Sequence, residues 1–402
     1  MATGRVTPYG AQQPTSSGTF MVAPLIHHNT PSAATRTSLT GAVEWLEAEK
    51  LREIRGEWSA MVSDTPSCHL FDLPEISLPD SHEVRRNPAS SAIIVRVNGE
   101  LCGALAIAFC GEFYGAIPAP TIRAVTGPLS LRMELAHHPA HRALAARLTW
   151  EALRDEINWR VLELPNVPCG GAAEMIAHHA RKEGYRVELL PVLSIPYINM
   201  GGELESTLPH DSRDYRKRLD TKLRKLGHLG TVHLRCWSTL VEPFVHLLRL
   251  EQHRERATHQ RTLHHIPGGI AQLRKIGRWA EKLDALRIYS LELNGEPLAM
   301  IYGVAWRGTY YAIRIACEPN FAMYSPGQLV VMQTLPELSR QGTARCELVS
   351  PALPWTTVWT SSTHQYRAHY IFRPNRYGGT PLASLFTATR GVTRIWHALR
   401  GG

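Results

Sequence analysis

The chain has 402 residues, 44% of them hydrophobic and 20% charged, with a net charge of +9 and a pI near 9.3. That balance excludes a disordered chain, and the length allows two domains with real cores. No apolar run is long enough to span a bilayer, and residues 21–26 are too short and Pro-broken for a signal-peptide core, so the cytoplasm is the expected location.

Residues 1–36 are rich in Ser, Thr, Pro and Gly, lack periodicity and read as a tail. Val43, Leu46, Leu51, Ile54 and Trp58 fall at helical spacing and predict a helix over 38–63; a Pro-broken connection over 65–87 follows. Segments 92–97 and 101–109 form a hairpin turned by Asn98-Gly99. Leu144, Leu148, Leu153 and Ile157 stripe an amphipathic helix over 140–158. A strand at 161–164, a helix at 172–184 and a strand at 185–193 complete the first half, and 196–210 reads as a linker. The second half opens with a basic helix at 211–226, a strand at 231–236 and helices at 240–256 and 269–283. Next come a hairpin of 286–293 with 298–306 turned by Asn294-Gly295, a strand at 309–317, a helix at 329–340 and a strand at 344–349.

The two hairpins are similar in residue order: Val97-Asn98-Gly99-Glu100-Leu101 and Leu293-Asn294-Gly295-Glu296-Pro297 lie 196 residues apart (294 − 98). That is about one domain's length. A duplicated α/β module follows, each half a mixed, largely antiparallel sheet with helices on its faces. The expected organisation is a tail at 1–36, a first domain at 37–195, a linker at 196–210, a second domain at 211–385 and a tail at 386–402.

The seven cysteines are scattered, with no CxxC pair, which argues against a disulfide framework or a structural zinc site. The histidines at 253, 259, 264 and 265 do not share a helix face as metal ligands would; no metal is expected. No GxGxxG follows a strand and no GxxxxGK occurs, so dinucleotide and P-loop readings have no support. The positive charge favours anionic partners.

Tyr324-Ser325-Pro326-Gly327-Gln328-Leu329 joins a strand to a helix. Ser325 fits the N-cap, Pro326 fits N1, and Gln328 at N3 would complete a capping box. Gly327 admits a close approach to the backbone, and free amides at a helix start attract a diphosphate. The same tetrapeptide also begins ordinary helices; its place after three strands is what singles it out.

The segment from 288 to 348 resembles the second half of the CelD-like acetyltransferases of the GNAT superfamily, which are tied to cellulose and exopolysaccharide synthesis. The residues that carry the resemblance are Leu293-Asn294-Gly295-Glu296-Pro297, Tyr310-Tyr311 and the run Glu318-Pro319-Asn320-Phe321-Ala322-Met323-Tyr324-Ser325-Pro326-Gly327. Asp211-Ser212-Arg213-Asp214-Tyr215-Arg216-Lys217-Arg218-Leu219 is similar to the family's basic stretch between halves, and Leu250-Glu251-Gln252-His253-Arg254 fits as well. Weaker agreement extends the resemblance to about residues 40–372. Fem-type aminoacyltransferases share the tandem plan.

The resemblance implies two GNAT-like domains, the second of which holds acetyl-CoA or another acyl-CoA as co-substrate. The pantetheine arm would lie along the strand that carries Ile313 and Ile315, and the diphosphate on Tyr324, Ser325, Gly327, Gln328 and Leu329. Superfamily members carry Arg or Gln where Tyr324 stands and a small residue where Leu329 stands. A Gly-rich acidic turn of the family is missing here; Glu347 and Tyr366-Arg367 stand in nearby positions. Glu318 and His364 are the base candidates, by position and by the pKa range of imidazole, and Tyr366 joins them in the catalytic set. Arg216, Lys217, Glu347 and Arg367 are the expected acceptor contacts.

The expected acceptor is an amine or hydroxyl of a polysaccharide or cell-envelope precursor, phosphorylated or glycan in nature. The basic helix suits a phosphorylated partner, although a charged face is also simply a solvated one. Two alternatives remain open at this point: a Fem-type transferase using aminoacyl-tRNA, and a module without turnover that binds a partner or an anionic membrane surface.

Overall fold

The computed structural model describes residues 36–387 except 39–40, 48, 67, 79–89, 115–116, 202–208, 210–211, 259–261, 375–381 and 385. The expected tails lie outside it apart from Arg36, Phe386 and Thr387.

The chain enters as strands β1 (Arg36–Ser38) and β2 (Gly41–Glu47), where a helix was expected. Val43 and Trp45 pack on one core and Leu46 on another, an alternation that belongs to a strand. Helix starts later, at α1 (Arg55–Asp64), and α2 (Pro74–Ser77) follows. The first hairpin is β3 (Ser90–Val97) with β4 (Glu100–Tyr114), followed by β5 (Ile117–Ala124) and the short β6 (Ala136–His137). Then come α3 (Arg142–Asp155), β7 (Val161–Pro168), α4 (Ala172–Lys182), β8 (Arg186–Leu189) and β9 (Leu193–Asn199). Residues 196–199, expected to open a linker, are strand.

The second half runs α5 (Ser212–Gly227), β10 (Val232–Trp237), α6 (Val241–Thr258), α7 (Gly269–Lys282), β11 (Leu286–Leu293), β12 (Glu296–Trp306) and β13 (Thr309–Cys317). It ends with α8 (Pro326–Arg340), β14 (Arg345–Leu348), α9 (Pro354–Thr357) and β15 (Thr363–Phe372).

Both Asn-Gly turns form with positive φ: +52° and +85° at Asn98 and Gly99, +53° and +85° at Asn294 and Gly295. The register slips at the same place in each hairpin, skipping Cys102 in the first and Leu298 in the second, again 196 residues apart (298 − 102). The duplication therefore reaches down to a shared bulge.

The strands form one sheet in the order β1-β2-β3-β4-β5-β7-β15-β9-β14-β13-β12-β11-β10. Two pairs are parallel, β5 with β7 and β13 with β14. The halves exchange strands where they meet. β9, from the first half, pairs with β14, while β15, the last strand, pairs with β7, β8 and β9. The described residues accordingly form one compact unit. One sheet face carries a core shared by both hairpins, in which Trp58, Leu70 and Ile94 join Met300, Tyr302 and Tyr311. The other face carries separate cores, one under α3 and α4 and one under α8.

Candidate active site

The parallel strands β13 and β14 pair only from Thr309↔Arg345 to Ala312↔Leu348, and Val349 N then donates to Ala312 O at 3.1 Å. Beyond that point, among the described residues, 314–317 pair with β12 alone, and Ile313 is skipped at a register shift. One strand edge is thus left open, with Ile313 and Ile315 on it. The matching place in the first half, after β5, is closed. Gln272 from α7 accepts from Leu129 N at 2.5 Å, and it sits so near Gly127 that a Cβ there would overlap its side chain.

The open edge leads to the start of α8. Ser325 is the N-cap and Pro326 occupies N1, as expected, but Ser325 has φ +55° and no capping box forms. Gln328 Oε1 instead accepts from Trp359 Nε1 at 2.8 Å, and Ser325 Oγ accepts from Lys222 Nζ at 2.6 Å. The amides of Gln328 and Leu329 both donate to Ser325 O, that of Ser325 donates to Ala322 O, and that of Gly327 meets the Cys317 thiol. The expected cradle of free amides is therefore taken up internally. What this corner offers an anion is the Lys222 ammonium, with one of its three donors committed, together with the helix dipole. There is also room at Gly327, where a Cβ would meet nothing nearer than 3.7 Å.

At its other end the open edge meets a cleft between the two halves, of ≈ 180 Å³. Its walls include His69 and Arg132 from the first half and Arg307, Tyr311, Arg345, Glu347, His364 and Tyr366 from the second. Tyr311 and Glu347 are in register, one residue before the strands diverge. Glu347 is buried, and its Oε1 lies 3.0 Å from His364 Nε2. Tyr197, in register with Glu347 on β9, stacks on His364 with centroids 4.3 Å apart. The Arg345 guanidinium lies 5.0 Å from the Tyr197 ring centroid and 3.8 Å from Glu347.

Burial, with help from Arg132, holds the His69 imidazole well below its usual pKa and so neutral. Burial pushes up the Tyr366 phenol, and the Glu347 carboxylate adds to this, against the pull of Arg132. Arg132 keeps its charge despite burial, because Asp72 accepts from its Nε at 2.9 and 3.1 Å.

The structure thus brings together three of the expected residues: His364, Tyr366 and Glu347. Glu318 stands apart. It is seven residues beyond Tyr311, roughly 23 Å along an extended strand; it pairs with His253 Nδ1 at 2.6 Å and caps the 3-10 turn Pro319–Tyr324. Tyr324 ends that turn and packs against Phe321. Arg216 and Lys217 lie on α5, away from the cleft walls, and Lys217 pairs with Asp214 at 3.3 Å. Arg367 follows Tyr366 on β15 and so belongs to the opposite sheet face. His69, Arg132, Tyr197, Arg307 and Arg345 were not expected. No local pattern marks them, since folding assembles them from five separate segments. Among the described residues no His/Cys/Asp/Glu group could hold a metal ion, and no helix is long and apolar enough to cross a membrane.

Residues 213–356 match a family model described as an acetyltransferase (GNAT) domain. The match runs from α5 to α9 and takes in the open edge, the start of α8 and Glu347. Residues 213–356 thus carry a GNAT-type acetyltransferase domain, which implies acyltransferase activity. The fold is similar to the crystal structure of FemX, with a TM-score of 0.51 at 10% identity over 82% of this chain and 98% of that one. A tandem GNAT protein from the clavulanic acid biosynthesis pathway aligns with a TM-score of 0.42 at 14% identity, covering 83% of this chain and 99% of that one. No curated protein sequence matches the chain.

Proposed function

We propose that this protein transfers an acyl group, acetyl in the simplest case, from acyl-CoA to an amine or hydroxyl acceptor held in the cleft between its halves. The acceptor class is the one the CelD resemblance implies, a polysaccharide or cell-envelope precursor. The observation that carries this reading is the divergence of β13 from β14 at Ala312, beside the Glu347–His364 pair. A strand edge able to hydrogen-bond a pantetheine arm ends where an acid–base pair begins. The room at Gly327 and the nearby Lys222 fit the donor's diphosphate at the far end.

In this scheme the acceptor nitrogen or oxygen bonds to the thioester carbonyl carbon while His364 takes its proton. Glu347 holds His364 through Nε2, which leaves Nδ1 to accept, and stabilises the imidazolium that forms. Collapse breaks the C–S bond and CoA leaves as thiolate. Tyr366, protonated at neutral pH, is the donor on hand for it. Neutral His69 cannot add a further positive charge beside the new imidazolium. Replacing His364 with Asn is expected to lower kcat about 100-fold or more while the dissociation constant for acetyl-CoA stays the same. Steady-state thiol release and calorimetry check both. Full turnover in the variant would remove His364 from the mechanism.

A further inference from the structure

The cleft is polar and unevenly charged. Three guanidinium groups line it, from Arg132, Arg307 and Arg345, against one lining carboxylate, Glu347. Asp72 offsets Arg132 from behind. Arg307 has no such counterion in its hydrogen bonding: it donates to the Thr65 carbonyl at 3.2 Å and to the Cys68 thiol at 2.7 Å, both neutral acceptors, since burial keeps that thiol protonated. Arg345 makes only a 3.8 Å approach to Glu347 and rests on the Tyr197 ring. The two arginines are neighbours in space. Arg307 forms the tight turn into β13 with φ +51°, and Arg345 N donates to the carbonyl of the next residue, Gly308, at 3.3 Å. Each guanidinium has five donors in a fixed fork, so most of this pair's donors remain uncommitted by these contacts.

We infer that the acceptor carries an oxyanion, a carboxylate or a phosphate, and that Arg307 and Arg345 hold it while the nucleophile faces the Glu347–His364 pair. This rests on the acyltransferase reading and narrows its acceptor to an anionic class. An oxyanion satisfies charges that a neutral acceptor would leave unpaired in a partly desolvated site. The same positive field disfavours an ammonium, so an acceptor amine is held in its neutral, nucleophilic form. The positive charge that matters for the acceptor is thus in the cleft, and the more conspicuous basic helix α5 lies elsewhere.

The test is acetyl-CoA-dependent thiol release with two matched pairs of acceptors: glucosamine 6-phosphate against glucosamine, and lysine against lysinamide. The charged member of at least one pair should be preferred in kcat/KM by about ten-fold or more, and which pair shows it separates phosphate from carboxylate. Arg345→Gln and Arg307→Gln should each bring that ratio down toward one, chiefly by raising KM for the charged member. Transfer that is indifferent to the oxyanion, or a preference that survives both substitutions, overturns the inference and leaves the acyltransferase reading intact. Acetyl-CoA binding without transfer to either charged acceptor also counts against the oxyanion. Absence of acetyl-CoA binding in calorimetry strikes the acyltransferase reading itself.

Discussion

A buried carboxylate survives in a fold only with partners, and Glu347 and Glu134 find theirs in different ways. Glu347 has His364 at 3.0 Å and a looser Arg345. Glu134 accepts from the amides of Leu135 and Ala173 through Oε1, at 3.0 and 2.7 Å, and lies 3.8 Å from Arg132. Burial outweighs that help and pushes its carboxyl up to about 7. The folded protein therefore keeps a proton on Glu134 that the unfolded chain releases near the ordinary carboxyl value of 4.5. Between those values the folded state binds more protons, so this group's contribution to stability falls as pH rises. Gln at 134 keeps the Oε1 acceptor and has no proton to lose. Relative to the parent, Glu134→Gln should gain about 3 kcal/mol in unfolding free energy from below pH 4.5 to above pH 7. Urea titrations across that range read the difference, and parallel curves for the two proteins would contradict it. His364 and Tyr366 were legible at this scale because titratable side chains after a core strand attract notice. Arg307 and Arg345 were not, because an arginine in a turn or at a strand start looks the same whether it faces solvent or a cleft.

At the scale of elements, the hairpins were the most readable part of the chain, since Asn-Gly supplies the positive φ that such a turn requires and few other pairs do. The residues over 38–47 misled because helical and strand spacings overlap in short apolar segments, and tertiary pairing with β3 decided the outcome. β5, the hairpin partner of β4, was missed because Pro118 and Pro120 break up its strand pattern, and β15 because it pairs with strands distant in sequence and no local turn announces it. β15 is also the strand the fold can least spare. It closes the first half against β7 and β8, pairs with β9, and brings Tyr370, Ile371 and Phe372 into buried positions. A chain ended at residue 362 is expected to lose cooperative unfolding altogether, as read by circular dichroism during heating. A truncated protein with native ellipticity and one sharp transition would show that the exchanged strand is dispensable.

At the scale of the molecule, the proposed function gives the duplication one site rather than two. The first half's strand edge is closed by Gln272, a residue of the second half, and the first half supplies His69 and Arg132 to the cleft and Tyr197 against His364; the second half keeps its own edge open and supplies Glu347 and His364. A tandem plan was legible from the repeated hairpin, and so was the strand β13 that carries the open edge. The exchange of β9 and β15, which makes the site depend on both halves, was not, because it is a property of the whole sheet.

Calorimetric titration with acetyl-CoA tests this most directly. The intact protein should bind one equivalent per chain. Gly327→Glu should abolish binding while leaving the circular dichroism spectrum unchanged, because position 327 has room for a side chain and lies where the diphosphate would sit. Binding of two equivalents, or binding by the Gly327→Glu protein as tight as the parent's, would contradict a single donor site at the start of α8.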